Sequence, residues 1–181
     1  MKRSILVSVV VAALSVVPRT AELCEGFLPE NNMKIPVGSL EDKGLTQQQF
    51  NAVIDAAEAI YKPVIAARGG NLLVKRLWDN NTVNASAQRQ GSTYVVNMYG
   101  GLARHATITQ DGFALVICHE IGHHIGGAPK YGGGNDWASN EGQSDYFANL
   151  KCLRRMFAAP GAASFSRPKG DDPGPQPACE K

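Results

Sequence analysis

The stretch Cys118-His119-Glu120-Ile121-Gly122-His123-His124 determines how the rest of the chain is interpreted. Residues four apart in an α-helix are separated by about 40° around its axis, so His119 and His123 can present both imidazoles to one metal ion. Glu120 lies about 100° from His119, which places it to act on a water beside that ion rather than to bind it. The motif predicts a zinc site with Glu120 as the general base.

This motif lies in an apolar helical segment that begins at Thr109-Gln110-Asp111 and ends at Gly126-Gly127. We expect the helix to be buried, because it is apolar on most sides. Burying two histidines and a glutamate there without partners would cost several kcal/mol, and a bound cation removes that cost. The apolar context therefore favours a metal site over a solvated charged face.

A second acidic pair follows in Asn140-Glu141-Gly142-Gln143-Ser144-Asp145, within a predicted amphipathic helix at about 138–157. Glu141 and Asp145 are four residues apart, and two solvated carboxylates so placed would repel each other. We predict that Glu141 is the third zinc ligand and that Asp145 accepts the non-ligating N–H of His119. Two histidines and one glutamate leave a fourth position open, which is typical of catalytic zinc.

With both motifs in place, the sequence resembles the gluzincin metallopeptidases, which combine H-E-x-x-H with a later E-x-x-x-D. The string at 140–145 is similar to the N-E-x-x-S-D of thermolysin-like enzymes. The stretch at 96–101 resembles the substrate-binding edge strand of HtpX-like endopeptidases. The resemblance covers 93–157 and implies a zincin-like fold. It also implies that the backbone of Asn97 and Met98 binds an extended peptide.

The resemblance further implies a group that stabilises the oxyanion, usually a downstream histidine, tyrosine or basic residue. No histidine follows His124 in this chain. The candidates are Tyr131 in the glycine-rich loop and Tyr146 in the following helix, with Arg154 and Arg155 further away.

The sequence also allows expectations for three more residues of the two metal-bearing helices. Gly122 and Gly142 each weaken a helix by about 1 kcal/mol relative to alanine. One interpretation is that they let the two helices approach closely, and the alternative is that they are merely tolerated. His124 lies about 140° around the helix from His119, so we expect it behind the ligands or exposed, and not on the same ion.

The upstream sequence predicts the rest of an α+β fold. Thr46-Gln47-Gln48-Gln49 is a capping box that begins an amphipathic helix, which should be kinked at Pro63. Segments 72–78, 82–89 and 93–99 are separated by turn residues and predict a three-stranded antiparallel meander. The predicted fold is thus a kinked N-terminal helix, a small antiparallel sheet, an active-site helix and a glutamate-bearing helix.

The N-terminus has the layout of a secretory signal peptide, with Lys2 and Arg3 before an apolar run at 5–17. That run is too short to span a bilayer. We therefore divide the chain into a signal peptide (1–21), a zinc metallopeptidase domain (22–158) and a Pro/Gly-rich C-terminal tail (159–181). The expected location is secreted or periplasmic, without a stable membrane span once the signal is removed.

Charge and cysteine content agree with an exported protein. Removal of 1–21 leaves 15 basic and 16 acidic residues, a balance that does not favour nucleic acid or an anionic membrane as partner. Four cysteines form an even set that predicts one or two disulfides. Their pairing stays open among three arrangements, one of which would join Cys24 to Cys179 and tie down both ends of the mature chain.

These observations lead to a zinc metalloendopeptidase whose partner is a peptide or protein substrate. The alternative is a catalytically silent, zinc-stabilised peptide-binding module, which the lack of a downstream histidine favours and the presence of Glu120 disfavours. A metal-free, disulfide-linked interaction domain is a third hypothesis. It would leave the histidines and Glu120 unpaired in an apolar helix.

Overall fold

The structure is a computed structural model that describes residues 27–132 and 136–158. The predicted signal peptide and C-terminal tail lie outside these residues, as do Cys24 and Cys179. The mixed α+β class is confirmed, and no described helix is both long and apolar enough to cross a membrane. The elements are α1 (Gln47–Ala66), β1 (Asn71–Leu77), β2 (Ala85–Gln90), β3 (Thr93–Tyr99), α2 (Gly100–Ala103), α3 (Gln110–Ile125), α4 (Glu141–Phe147), a π-helical segment (Ala148–Cys152) and α5 (Leu153–Ala158).

Helix α1 begins where the capping box predicts. The Thr46 hydroxyl accepts the Gln49 N–H at 3.2 Å, and the Gln49 side chain accepts the Thr46 N–H at 2.9 Å, so two unpaired donors of the first turn are satisfied. The helix continues through Pro63 to Ala66. A kink at Pro63 stays a prediction. The buried face of α1 packs on α3 and β1 and consists of Phe50, Val53, Ile54, Ala57, Tyr61 and Ile65.

The sheet is not the predicted antiparallel meander. Its order is β1-β3-β2, with β2 antiparallel and β1 parallel to the central strand β3. The physical reason lies in burial: β3 has four consecutive buried residues at 95–98, whereas β1 and β2 carry polar residues toward their ends. The most apolar strand takes the centre, and the turn residues after β1 belong to a connection that passes to the far side of β3 rather than to a hairpin.

Arg104, which no sequence motif marks, fixes that connection. The side chain is fully buried and donates to the carbonyl oxygens of Ile35 at 2.9 Å and Trp78 at 2.8 Å, and to Asn81 Oδ1 at 3.2 Å. Its guanidinium also lies 4.9 Å from the centre of the Trp78 ring. One buried cation thus satisfies backbone acceptors of both the N-terminal segment and the β1–β2 connection.

Helix α3 is buried on nearly all sides, as predicted. It packs against α1, β2, α4 and the π-helical segment. A disulfide between Cys118 of α3 and Cys152, whose Cα atoms are 5.6 Å apart, ties it to the π-helical segment. This pairing excludes the two arrangements that would join Cys118 to Cys24 or to Cys179.

The glutamate-bearing helix begins at Glu141, three residues later than predicted. Asn140 caps it, because its side chain accepts the Gln143 N–H at 3.0 Å. From 141 to 158 the chain stays helical, with the π-helical segment between α4 and α5. Glu141 therefore occupies the first turn, where a carboxylate is favoured by the helix dipole.

Candidate metal site

Two histidines of α3, His119 and His123, direct their Nε2 atoms toward a common point. His119 and His123 are 2 % and 0 % exposed, and their ring centres are 4.7 Å apart. His119 Nδ1 donates to Asp145 Oδ1 at 2.8 Å, and His123 Nδ1 donates to the Ser139 carbonyl at 2.8 Å. Because both Nδ1 atoms are engaged, Nε2 is the nitrogen that each ring offers to a ligand.

Glu141 completes the group from the first turn of α4. Its Oε2 lies 3.0 Å from His119 Nε2, and its Oε1 lies 3.7 Å from His123 Nε2. One ligand atom from each of the three residues lies within 4.8 Å of the others. Ligand atoms at about 2.0–2.1 Å from a tetrahedral zinc would be roughly 3.3–3.5 Å apart, so the spacing fits an ion at the centre.

Polar atoms without partners support the same conclusion. Both Nε2 atoms and both carboxylate oxygens of Glu120 are buried and make no hydrogen bond with a described residue. Such atoms cost free energy unless a ligand or ion satisfies them. Two imidazole nitrogens and a carboxylate oxygen suit a divalent cation of the first transition row, zinc included. The residues present therefore fit a metal ion.

The charges at the site are strongly perturbed. Burial raises the pKa of Glu120 to about 8, with the nearby charge of Glu141 adding to the rise and that of His119 opposing it. Burial acts on Glu141 in the same direction, but the adjacent His119 ring and the Tyr131 hydroxyl bring its pKa below the usual value. Glu141 is thus held as an anion, the form that a cation requires of a ligand.

The pKa values of the two histidines shift in opposite directions. Burial lowers the pKa of His123, and the hydrogen bond to the Ser139 carbonyl offsets only part of that effect. Burial also acts to lower the pKa of His119, but the carboxylates of Glu141, Glu120 and Asp145 raise it above the usual value. His119 is the ligand whose charge depends most on neighbouring anions.

Of the two tyrosines proposed from the resemblance, the structure brings one to the group. The Tyr131 hydroxyl donates to Glu141 Oε1 at 2.5 Å, and its ring faces His123 with ring centres 6.3 Å apart. Tyr146 is 52 % exposed and lies about 140° around the helix from Glu141. Tyr131 thus contacts the ligand group, whereas Tyr146 lies on an exposed face of α4.

The expectation that Asn97 and Met98 lie in an edge strand is wrong, because β3 is the central strand of the described sheet. Both residues are buried, and they lie in the central strand, opposite Lys75 and Arg76 of β1 on one side and β2 on the other. The Asn97 side chain donates to Ser86 Oγ at 3.0 Å across the sheet. A strand with neighbours on both sides has no free edge for a peptide.

Gly122 has the predicted purpose and Gly142 does not. A Cβ atom on Gly122 would lie 3.0 Å from Ser144 Cα and 3.3 Å from a ring carbon of Phe147, so its absence lets α3 and α4 meet closely. A Cβ atom on Gly142 would have no other atom within 4 Å. The close approach at Gly122 is what brings the Glu141 carboxylate to the histidines.

Two further residues contact the site without any signal in the sequence, Ser139 and Phe27. Ser139 acts through its main-chain carbonyl, which leaves no trace in residue type. The Phe27 ring stands edge-on to His119 with ring centres 5.3 Å apart, and its N–H donates to Ala85 O at 3.0 Å. Phe27 is more than ninety positions upstream of His119, so no local pattern connects the two.

His124 is buried behind the ligands and lies outside the metal group. Its Nε2 is 3.0 Å from Val95 O, and its ring is stacked between Tyr94 and Trp137. Burial lowers the pKa of His124 to about 3, so the ring is neutral. The prediction that it cannot share the ion of His119 agrees with this placement.

Comparisons with known proteins add no relative. No protein-family model, no curated protein and no solved structure matches this chain. The chain is a mixed α+β protein in which two buried histidines, His119 and His123, and the half-buried Glu141 form a group that could hold a metal ion.

Proposed function

We propose that the protein is a secreted or periplasmic zinc metalloendopeptidase of gluzincin type. His119, His123 and Glu141 hold the ion, and Glu120 is the general base. The observation that carries the proposal is the convergence of three ligand atoms within 4.8 Å, beside a buried glutamate with no hydrogen-bond partner. The disulfide of α3 fits export to an oxidising compartment.

The chain's own residues have distinct parts in the proposed hydrolysis. Zinc, when bound, polarises the peptide carbonyl and lowers the pKa of a nearby water. A cation held by the ligands would lower the pKa of Glu120 from about 8, so that its carboxylate can take a proton from the attacking water and pass it to the leaving amine. Asp145 and the Ser139 carbonyl keep the two imidazoles oriented throughout, because each accepts the Nδ1–H of one ring.

Tyr131 is the residue to which we assign stabilisation of the oxyanion. Its single O–H, which donates to Glu141 Oε1 in this structure, would turn to the negative charge that develops beside the ligand group. Tyr146 is dropped from this role because its side chain is exposed to solvent on another face of α4.

The substrate would bind along β2 rather than β3. β2 is an edge strand of the described sheet and packs against α3, which carries the histidines. At its first residue, Ala85, the outer edge receives the Phe27 N–H. Further along, an extended peptide can add to this edge through main-chain hydrogen bonds, which accept any side-chain sequence.

The test compares the exported chain with three glutamate variants. Zinc content is measured for each, and cleavage of a mixed peptide library is followed by mass spectrometry. We expect Glu120→Gln to keep its zinc and to lose cleavage by about 10²–10⁴-fold, because only proton transfer is removed. Glu141→Gln should lose zinc as well. Glu41→Gln, an exposed glutamate away from the site, should behave like the parent.

Two outcomes would contradict the proposal. If Glu120→Gln cleaves as well as the parent, Glu120 is not the base. If the parent holds one zinc per chain and cleaves nothing, the silent peptide-binding module is the better description.

A further inference from the structure

A basic cavity lies away from the metal group. It has a volume of about 480 Å³ and lies between the end of α1, the end of α3 and the helical segment 147–155. Ile125, on its wall, is about 200° around α3 from His123, so the cavity opens on the other side of that helix. No residue of the candidate metal site lines it. Its four cationic lining residues are Arg68, Lys151, Arg154 and Arg155.

Within the part of the chain that the structure describes, no carboxylate balances these four cations. No described glutamate or aspartate lines the cavity, and none of the four takes part in an ion pair there. After Asp145 the described helical segment carries three basic residues and no acidic one. Positive charges gathered around one concavity raise the local potential and attract an anion.

The floor and walls of the cavity are built rather than accidental. Tyr61 on the floor is fully buried, and the charge of Arg155 beside it acts to lower the pKa of its hydroxyl, although burial has the larger effect and raises it. Arg68 is oriented by a 3.4 Å contact with the Ile125 carbonyl. Apolar side chains such as Val64 and Leu150 supply the remaining wall. Small-molecule sites usually combine apolar walls with a few placed polar or charged groups, and this cavity has both.

The guanidinium groups decide the chemistry of the ligand. Arginine binds phosphate oxygens through pairs of parallel N–H donors, and such charge-assisted bonds are about twice as strong as neutral ones. Three arginines and a lysine offer more positive charge and more N–H donors than the one charge and two oxygens of a single carboxylate can match. We propose that this cavity binds a phosphate group, carried by a soluble phosphate ester or by a lipid headgroup.

The first experiment uses the full chain and inorganic pyrophosphate as the probe, titrated by calorimetry at low ionic strength. We expect saturable binding of one pyrophosphate per chain. Arg154→Gln combined with Arg155→Gln should weaken it by about 10–100-fold, because two charge-assisted contacts are lost. Tyr61→Phe, which removes only the hydroxyl beside Arg155, should weaken it several-fold. Circular dichroism and thermal unfolding report that each variant is folded.

A charge-matched control separates a site from general attraction. Lys43→Gln combined with Lys75→Gln removes two positive charges elsewhere on the described surface and should bind pyrophosphate like the parent. Equal weakening in this control, or no saturable binding of any probe, would overturn the proposal.

A second arm identifies the source of the phosphate. Sedimentation with phosphatidylcholine vesicles, with and without phosphatidic acid, tests the lipid headgroup. Binding that needs phosphatidic acid and is lost in the double arginine variant supports the site and points to a lipid. Pyrophosphate binding without vesicle binding supports the site and points to a soluble ester. Neither result depends on peptidase activity.

Discussion

Each histidine of the metal group is anchored by a different kind of acceptor. His123 is held by a main-chain carbonyl, which cannot be removed by substitution, whereas His119 is held by the Asp145 carboxylate. The Asp145 side chain is 62 % exposed, so solvent screens part of its charge, but its hydrogen bond fixes which nitrogen of His119 faces the ion. The anchor of His119 is therefore the one that mutation can test.

Loss of Asp145 should weaken metal binding without removing a ligand. We expect Asp145→Ala to lower zinc affinity about 10–100-fold, since acceptors behind metal-bound histidines have effects of this size. Asp145→Asn retains an acceptor oxygen and should lose less. Competition with a fluorescent zinc chelator measures both, and Asp136→Ala, at an exposed aspartate of the preceding loop, is the control. An unchanged affinity in Asp145→Ala would show that His119 needs no anchor.

The two tyrosines form a natural pair for testing the oxyanion role. Tyr131→Phe removes the hydroxyl that lies against Glu141 and should reduce kcat by about 10²–10³-fold, as loss of one oxyanion donor does. Tyr146→Phe removes an exposed hydroxyl and should leave kcat unchanged. Steady-state cleavage of one peptide found in the library gives both values. A fall in zinc affinity with kcat preserved at saturating zinc would mean that Tyr131 only positions Glu141.

At the scale of the elements, the contact between α3 and α4 determines whether the ligands meet. Gly122→Ala adds a methyl group 3.0 Å from Ser144 Cα, and that backbone can yield only by moving α4. We expect a loss of about 1–3 kcal/mol in the free energy of unfolding, together with weaker zinc binding, because Glu141 moves with α4. Urea unfolding and zinc competition measure the two effects.

Gly142→Ala is the matched control for that substitution. Its added methyl group meets open space, and alanine favours a helix over glycine by up to about 1 kcal/mol, so this variant should be equally or more stable. The interpretation of Gly122 would fail if both variants lost similar stability.

The disulfide acts on the same group of helices. Cys118 is next to His119 and is joined to Cys152, so the metal-bearing helix is tied covalently to the segment that follows α4. Glu141 and the histidines thus lie within one covalently closed loop of the chain. This arrangement holds the two ligand-bearing elements near each other even before an ion binds.

For the whole molecule, the buried group couples metal binding to stability. The folded chain buries the Nε2 atoms of His119 and His123 and the Glu120 carboxylate without hydrogen-bond partners among the described residues, and these atoms destabilise it until an ion satisfies them. We expect a chelator to lower Tm by roughly 5–15 °C, because a ligand at 100 times its Kd contributes about 2.7 kcal/mol. Calorimetric scans with zinc or with chelator measure the shift, and a His123→Ala variant should show almost none. Identical Tm values for the parent under both conditions would exclude a folded-state metal site.

Sequence alone determined the features that depend on neighbours along the chain. The spacing of His119 and His123, the capping box of α1 and the burial of α3 follow from helical periodicity, which is a property of residues within one or two turns. The pairing of Glu141 with those histidines was also predictable, because the H-E-x-x-H motif and the acidic pair of Glu141 and Asp145 lie close together in the sequence and each needs the partner that the other supplies.

Tertiary structure alone decided the features that depend on contacts between distant segments. β3 became the central strand because burial across the whole sheet outweighed the turn signals, and this removed Asn97 and Met98 from the site. The choice of Tyr131 over Tyr146 depends on where the loop after α3 returns. A main-chain carbonyl or a ring from a remote segment acts through position rather than residue type, so no pattern along the chain encodes it.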